Sequence, residues 1–228
     1  MSSRSYFGRE LFGFLKDLAA HNNRDWFEGN RERYEQSVRD PFLRLITDLQ
    51  PHLRKINPQI VADPRPNGGS MMRIYRDIRF SKDKSPYKTS VAAHFWHAKG
   101  KDGATPAYYL HLAPGESLIG AGIWRPEPAA LKGIRQAIVK QPKQWQEITT
   151  GRDFRSTCGL GGESLQRPPA GFDPNHPLIA DIKRKDFVTS SKLTDKEVYA
   201  DGFLDSVVAN FRLTAPFVKF LSKAVGLS

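Results

Sequence analysis

Residues 71–124 read MMRIYRDIRFSKDKSPYKTSVAAHFWHAKGKDGATPAYYLHLAPGESLIGAGIW, and the breaks within this stretch decide the fold. Four segments have strand character, at about 71–80, 89–97, 106–113 and 116–124. They are separated by SKDKSP, KGKDGATP and PGE, all short and rich in turn formers. Such breaks join neighbouring antiparallel strands, because parallel strands need a crossover of a dozen or more residues. An antiparallel meander is therefore expected. In its last segment Gly120 and Gly122 alternate with Ile119, Ala121 and Ile123. Glycine inside a strand marks a bulge, or a face that another backbone or a ligand approaches closely.

Both flanks read as helical. Leu11, Leu15 and Leu18 recur at helical spacing, with Phe12 and Phe14 beside them. Asn22 or Asn23 can cap a second helix that carries Phe27, Tyr34 and Val38. Asp40 and Pro41 suggest a restart, with Asp as cap and Pro in the first helical position. Phe42, Leu45, Ile46, Leu49 and Leu53 then form an apolar stripe. Residues 57–70 read as a loop. After the meander, helices are expected at about 127–140 and around Trp145 and Ile148, with irregular chain over 150–176 and a short helix from Pro177. Thr194 and Glu197 have capping-box spacing, and Leu204, Val207, Val208 and Phe211 open a helical region that Pro216 should kink or restart. The expected class is α+β, a mainly antiparallel sheet at about 71–124 with helices packed against it from the N- and C-terminal regions. No repeat or linker divides the sequence, so residues 1–228 are expected to form a single domain.

Composition narrows the function classes. With 39% hydrophobic and 11% aromatic residues the chain can build a sizeable core. No apolar run reaches the roughly 18–20 residues that span a bilayer, and the N-terminus lacks a secretory pattern. The single cysteine, Cys158, excludes an internal disulfide. A cytoplasmic, reducing location without membrane association is expected. Thirty-five basic residues against 24 acidic ones give a net charge of +11, which favours an anionic partner.

The densest local signal is RIYRDIRFSKDKSPYK at 73–88. On a regular strand Arg73, Tyr75, Asp77 and Arg79 share one face in a row of about 20 Å. Met72, Ile74, Ile78 and Phe80 share the other, interrupted by Arg76, which is therefore expected to be buried and paired. Six basic residues (Arg73, Arg76, Arg79, Lys82, Lys84, Lys88) meet two acidic ones, Asp77 and Asp83. Arginine suits bidentate contact with phosphate or carboxylate.

The segment resembles the signature of a bacterial and fungal family, domain of unknown function 2461, in which an arginine precedes Arg-Asp-x-Arg-Phe, then Asp/Asn-Lys, then tyrosine. Here these are Arg73, Arg76, Asp77, Arg79, Phe80, Asp83, Lys84 and Tyr87. The likeness extends along the chain, through WFEGNRERYE (Trp26, Phe27, Asn30, Tyr34), GAGIWRP (Gly120, Gly122, Trp124, Pro126) and RPPAGFDPNHP (Arg167, Pro168, Gly171, Phe172, His176, Pro177). It implies a family and a length of this order, and no activity, so no catalytic role is carried over from it.

The residues themselves support a binding or catalytic site for a phosphate-bearing anionic ligand on the 73–88 segment. Arg73, Arg79, Lys84 and Lys88 would bind the ligand, and Asp77 would orient the arginines. The implied partners are a phosphate-bearing small molecule or nucleic acid. Asp77, Lys84 and Tyr87 are the candidates for chemistry, with the Lys84 ammonium lowering the Tyr87 pKa for proton transfer. The alternative is a non-enzymatic scaffold or interaction protein whose segment is a structural ion-pair ladder. Whether the protein is an enzyme stays open at this point. No cofactor or metal is expected: of His94, His97 and His111 in neighbouring strands, His94 and His97 fall on opposite faces of a regular strand, and no HExxH or paired-cysteine spacing exists. Asp173 and His176 could form an acid/base pair, but a turn and helix start explain them equally.

Overall fold

The apolar periodicities at the start of the chain become helices. The computed structural model describes residues 5–100 and 105–227. Helix α1 (Arg9–Ala20) buries Leu11, Phe12, Phe14, Leu15 and Leu18. Asn23 caps α2 (Arg24–Gly29), its side chain accepting from the Trp26 N–H at 2.9 Å. Helix α3 (Arg31–Tyr34) passes through a π-helical turn, Glu35–Arg39, directly into α4 (Asp40–Ile56). The expected restart is thus corrected, since Asp40 is itself helical. Pro41 has no N–H to donate, and a proline ring crowds the carbonyl four residues back; the wider turn ahead of it accommodates both. The expected stripe on α4 is buried from Phe42 to Leu53.

Three of the four expected strands form: β1 (Val91–Phe95), β2 (Ala107–Leu112) and β3 (Ser117–Ile123). The break between β1 and β2 includes residues 101–104, which lie outside the described residues. The segment 71–80 is not a continuous strand, which corrects the expected start of the sheet. Helices α5 (Pro128–Lys140), α6 (Pro142–Thr150) and α7 (Arg152–Thr157) follow. Then come β4 (Gly159–Gly161), α8 (Ile179–Ile182), β5 (Phe187–Leu193), α9 (Asp195–Val198) and α10 (Phe203–Ala224). The class is α+β, with five antiparallel strands in the order β1-β2-β3-β5-β4. The sheet therefore recruits β5 and β4 from well beyond residue 124. Thr194 and Glu197 form the full capping box on α9. Helix α10 runs through Pro216 rather than restarting there.

The chain gathers into two compact units. One holds the chain up to Phe95 with Tyr109–Ile119 and Lys192–Ala209. Its core includes Phe14, Phe27 and Tyr34, whose rings lie 5.3–6.4 Å apart pairwise. The other holds Trp96–Tyr108, Gly120–Ser191 and the chain from Asn210 onward. Its core is built on Trp145, packed against Phe187, Phe217 and Phe220. Gly122, at φ +122°, is a place of close approach, because a Cβ there would lie 2.0 Å from the Phe187 carbonyl oxygen. None of the described helices is long and apolar enough to cross a membrane.

Candidate functional site

Residues 70–76 fold back on 86–94 as a narrow antiparallel ribbon. Its bridges are Met71 with Ala93 and Tyr75 with Tyr87. Around them the Met72 N–H donates to the Ala92 carbonyl at 2.8 Å and the His94 N–H to Ser70 at 2.9 Å. The Arg76 N–H donates to Pro86 at 2.9 Å, and the Lys88 N–H to Ile74 at 2.7 Å. Between the bridges three residues, 72–74, oppose five, 88–92. That excess is a bulge, and a bulge ends strict alternation of side chains. Met72 and Arg73 are both exposed, and from there Arg73, Tyr75, Asp77 and Arg79 stay exposed in alternation with the buried Ile74 and the half-buried Arg76 and Ile78.

Tyr87 anchors the ribbon. Its ring is buried and stacks on Phe27 at 4.1 Å between centroids. The Asn22 side chain grips its backbone from both sides, Nδ2 donating to the Tyr87 carbonyl and Oδ1 accepting from the Tyr87 N–H, each at 3.0 Å. Of the two asparagines at the helix start, Asn23 is the cap and Asn22 the clamp. Burial pushes the Tyr87 phenol up, with Tyr75 and Glu28 adding to the rise. This is opposite to the lowering expected from Lys84, whose Nζ instead donates to the Ile78 carbonyl at 3.0 Å.

Both acids of the segment are committed. Asp77 receives Arg79 through Nε at 3.0 Å and Nη2 at 2.7 Å, so Asp77 does orient an arginine. The side-chain and backbone bonds from Arg79 lower its carboxyl to a pKa of about 2. Asp83 accepts from Ser85 Oγ at 2.6 Å and Ser85 N–H at 2.9 Å, and pairs with Arg76. These bonds, those from Ser85 foremost, hold the Asp83 carboxyl far below the usual range. Arg76 is about one-third exposed, which corrects its expected burial on an apolar face.

Four cations of the segment, Arg73, Lys82, Lys84 and Lys88, have no carboxylate within ion-pair distance among the described residues. Lys88 is partly buried and its Nζ donates to the Arg73 carbonyl at 2.9 Å. Burial, and secondarily the Arg73 charge, push its pKa down. The sequence pattern missed Phe80, which stands 95% exposed at the ribbon tip rather than in a core.

The other candidates resolve into structure. Asp173 Oδ1 accepts from the Asn175 N–H at 2.8 Å, and His176 Nδ1 from the Leu178 N–H at 3.1 Å, which builds the turn before α8. Cys158 is buried, and burial pushes its thiol up. Tyr109 and His111 bond to each other at 3.2 Å on β2. Among the described residues no group of three or more His, Cys, Asp or Glu side chains is placed to hold a metal ion.

Comparison with known proteins gives one match. The family model described as Conserved hypothetical protein (DUF2461) covers residues 10–220, which includes the whole ribbon and most of every flanking element. No curated protein and no solved structure matches the chain. With nearly its full length matched, the chain belongs to the DUF2461 family.

Proposed function

We propose that the 73–88 ribbon binds a phosphate-bearing anion, with Arg73 and Lys88 at the centre of the site and Lys84 and Arg79 beside them. One observation carries this. Lys88 keeps a partly buried ammonium next to the Arg73 guanidinium, and neither has a carboxylate within ion-pair distance among the described residues. Like charges gathered without an ion-paired carboxylate destabilise a fold, and sites of this kind trade stability for function. Arg79 uses two of its five donors on Asp77 and keeps the rest for a ligand. The test is thermal unfolding with phosphate, pyrophosphate and a nucleoside triphosphate. The anions should raise the melting temperature of the wild type by mass action, and Arg73→Ala and Lys88→Met should lose that response. No shift with any anion would remove the proposal.

The Arg79–Asp77 and Arg76–Asp83 pairs favour the second reading, a structural ladder in a scaffold protein. On that reading Arg73→Ala and Lys88→Met would lower stability as Arg76→Ala does, and no anion would shift the wild-type melt. Proton transfer by Tyr87 draws no support from a phenol raised by burial.

A further inference from the structure

The ribbon tip holds a phenyl ring away from any core. Phe80 is 95% exposed, and the chain around it is braced by polar bonds. Lys84 Nζ reaches the Ile78 carbonyl, Arg76 pairs with Asp83, and Asp83 ties down Ser85. Asp77 fixes the Arg79 guanidinium, which lies over the Phe80 ring at 5.9 Å from its centroid. The guanidinium stands off the ring without covering it, so at 95% exposure the ring keeps an open face to solvent. Tyr75 and Met72, on the same ribbon, are 45% and 42% exposed. An apolar ring presented on a braced tip, beside cations without counter-ions, matches a ligand that carries both planar faces and phosphates.

We infer that this ligand is single-stranded nucleic acid, with an unpaired base stacked on the open face of Phe80 and phosphates held by Arg73, Lys82, Lys84 and Lys88. Single-strand binding presupposes the anion site proposed above and narrows it. A duplex offers only its backbone and groove edges, because each base face is covered by the next base pair; stacking on Phe80 requires a base that is free. A free nucleotide would occupy few of the four unpaired cations, whereas a strand presents a phosphate at every residue. The overall charge of +11 adds long-range attraction for a polyanion.

The test is fluorescence anisotropy with a labelled oligothymidylate of about ten nucleotides, a length that suits a single stacking site with flanking phosphates. A duplex of equal length, an inorganic polyphosphate and a polyglutamate serve as competitors, and pyrophosphate melts are run on the same samples. The oligothymidylate should bind better than the duplex. Phe80→Ala should weaken it at least about fivefold while leaving polyphosphate competition unchanged. The logarithm of affinity should fall with the logarithm of salt at a slope of about −3, and Lys82→Ala should reduce that slope by about 0.7. Equal binding of duplex and single strand with no effect of Phe80→Ala would overturn the inference. So would polyglutamate competing in a Phe80-dependent manner, which would indicate an acidic protein partner. Pyrophosphate raising the melt without any oligonucleotide binding would overturn single-strand recognition and leave the anion site standing. Neither response would remove both.

Discussion

The ring of Tyr87 lies on the ring of Phe27, with centroids 4.1 Å apart and planes within 18° of parallel. This contact joins the ribbon to α2, and the Asn22 clamp fixes the same residue through its backbone. Tyr87 is therefore a packing anchor whose hydroxyl is secondary. Tyr87→Ala should lower stability by about 3–5 kcal/mol, the range for losing a buried aromatic ring. Tyr87→Phe, which keeps volume and stacking, should cost less than about 1.5 kcal/mol. Urea unfolding of the two variants checks this, and a large loss on Tyr87→Phe would restore a role for the phenol.

Arg76 behaves as a surface partner. Its side chain is 30% exposed and that of Asp83 55%. A pair in such contact with water is worth no more than about 1 kcal/mol, so Arg76→Ala should cost that or less. A buried, paired arginine would instead cost about 3–5 kcal/mol on truncation. Chemical denaturation separates the two values.

Lys88 should show its burial as a pH effect. Its folded pKa lies below the ordinary 10.5. Below the folded value both folded and unfolded states are protonated, and the folded state bears the whole cost of the buried charge. As pH rises toward 10.5 the folded state releases its proton first, and that cost disappears. Lys88→Met should therefore be more stable than the wild type at pH 7, with the advantage shrinking as pH approaches 10.5. An advantage independent of pH would contradict the assignment.

The acid brace titrates in the other direction. Asp77 has a folded pKa of about 2 against an ordinary 3.8. Its contribution is complete above 3.8 and is lost as pH falls through about 2. The Arg79 amide, which donates to Asp77 Oδ1 at 3.2 Å, should report this in an NMR titration with a midpoint near 2. A midpoint near 3.8 would mean that the Asp77–Arg79 pair does not persist in solution.

Asp186 is a structural linchpin of the second unit. It is buried, and its carboxylate accepts from the Arg125 N–H at 2.8 Å and the Glu163 N–H at 3.0 Å. Arg125 sits at φ +46°, a conformation that surrounding contacts must sustain. Asp186→Ala leaves two donors without their acceptor and should cost about 2–4 kcal/mol. Asp186→Asn should cost less, since its amide oxygen still accepts. Thermal unfolding of the pair provides the check.

Local patterns were legible where a single physical term dominates. The apolar stripes of α1 and α4 predict burial because the helical period places every such residue on one side. The Thr194 box is visible because a short-range bond pair needs only two residues three apart. β5 was not legible: its inward positions include Thr189 and Ser191, so no apolar alternation announces a strand. β4 is three residues, Gly-Leu-Gly, too short to carry a period.

The sequence by itself determined the α+β class and the cation surplus at 73–88, because composition, spacing and charge are additive along a chain, and its motifs carried the likeness to the family. Only the tertiary structure decided how that surplus is disposed. Past the Tyr75–Tyr87 bridge the chain leaves the ribbon, so Phe80 stands exposed and Arg76 half-buried instead of lining a covered face. Phe27 and Asn22 fix Tyr87 inward, while Phe80 stands exposed in the preceding loop. Register and stacking partners depend on residues some sixty positions away, such as Asn22 for Tyr87, and no local window of sequence contains both.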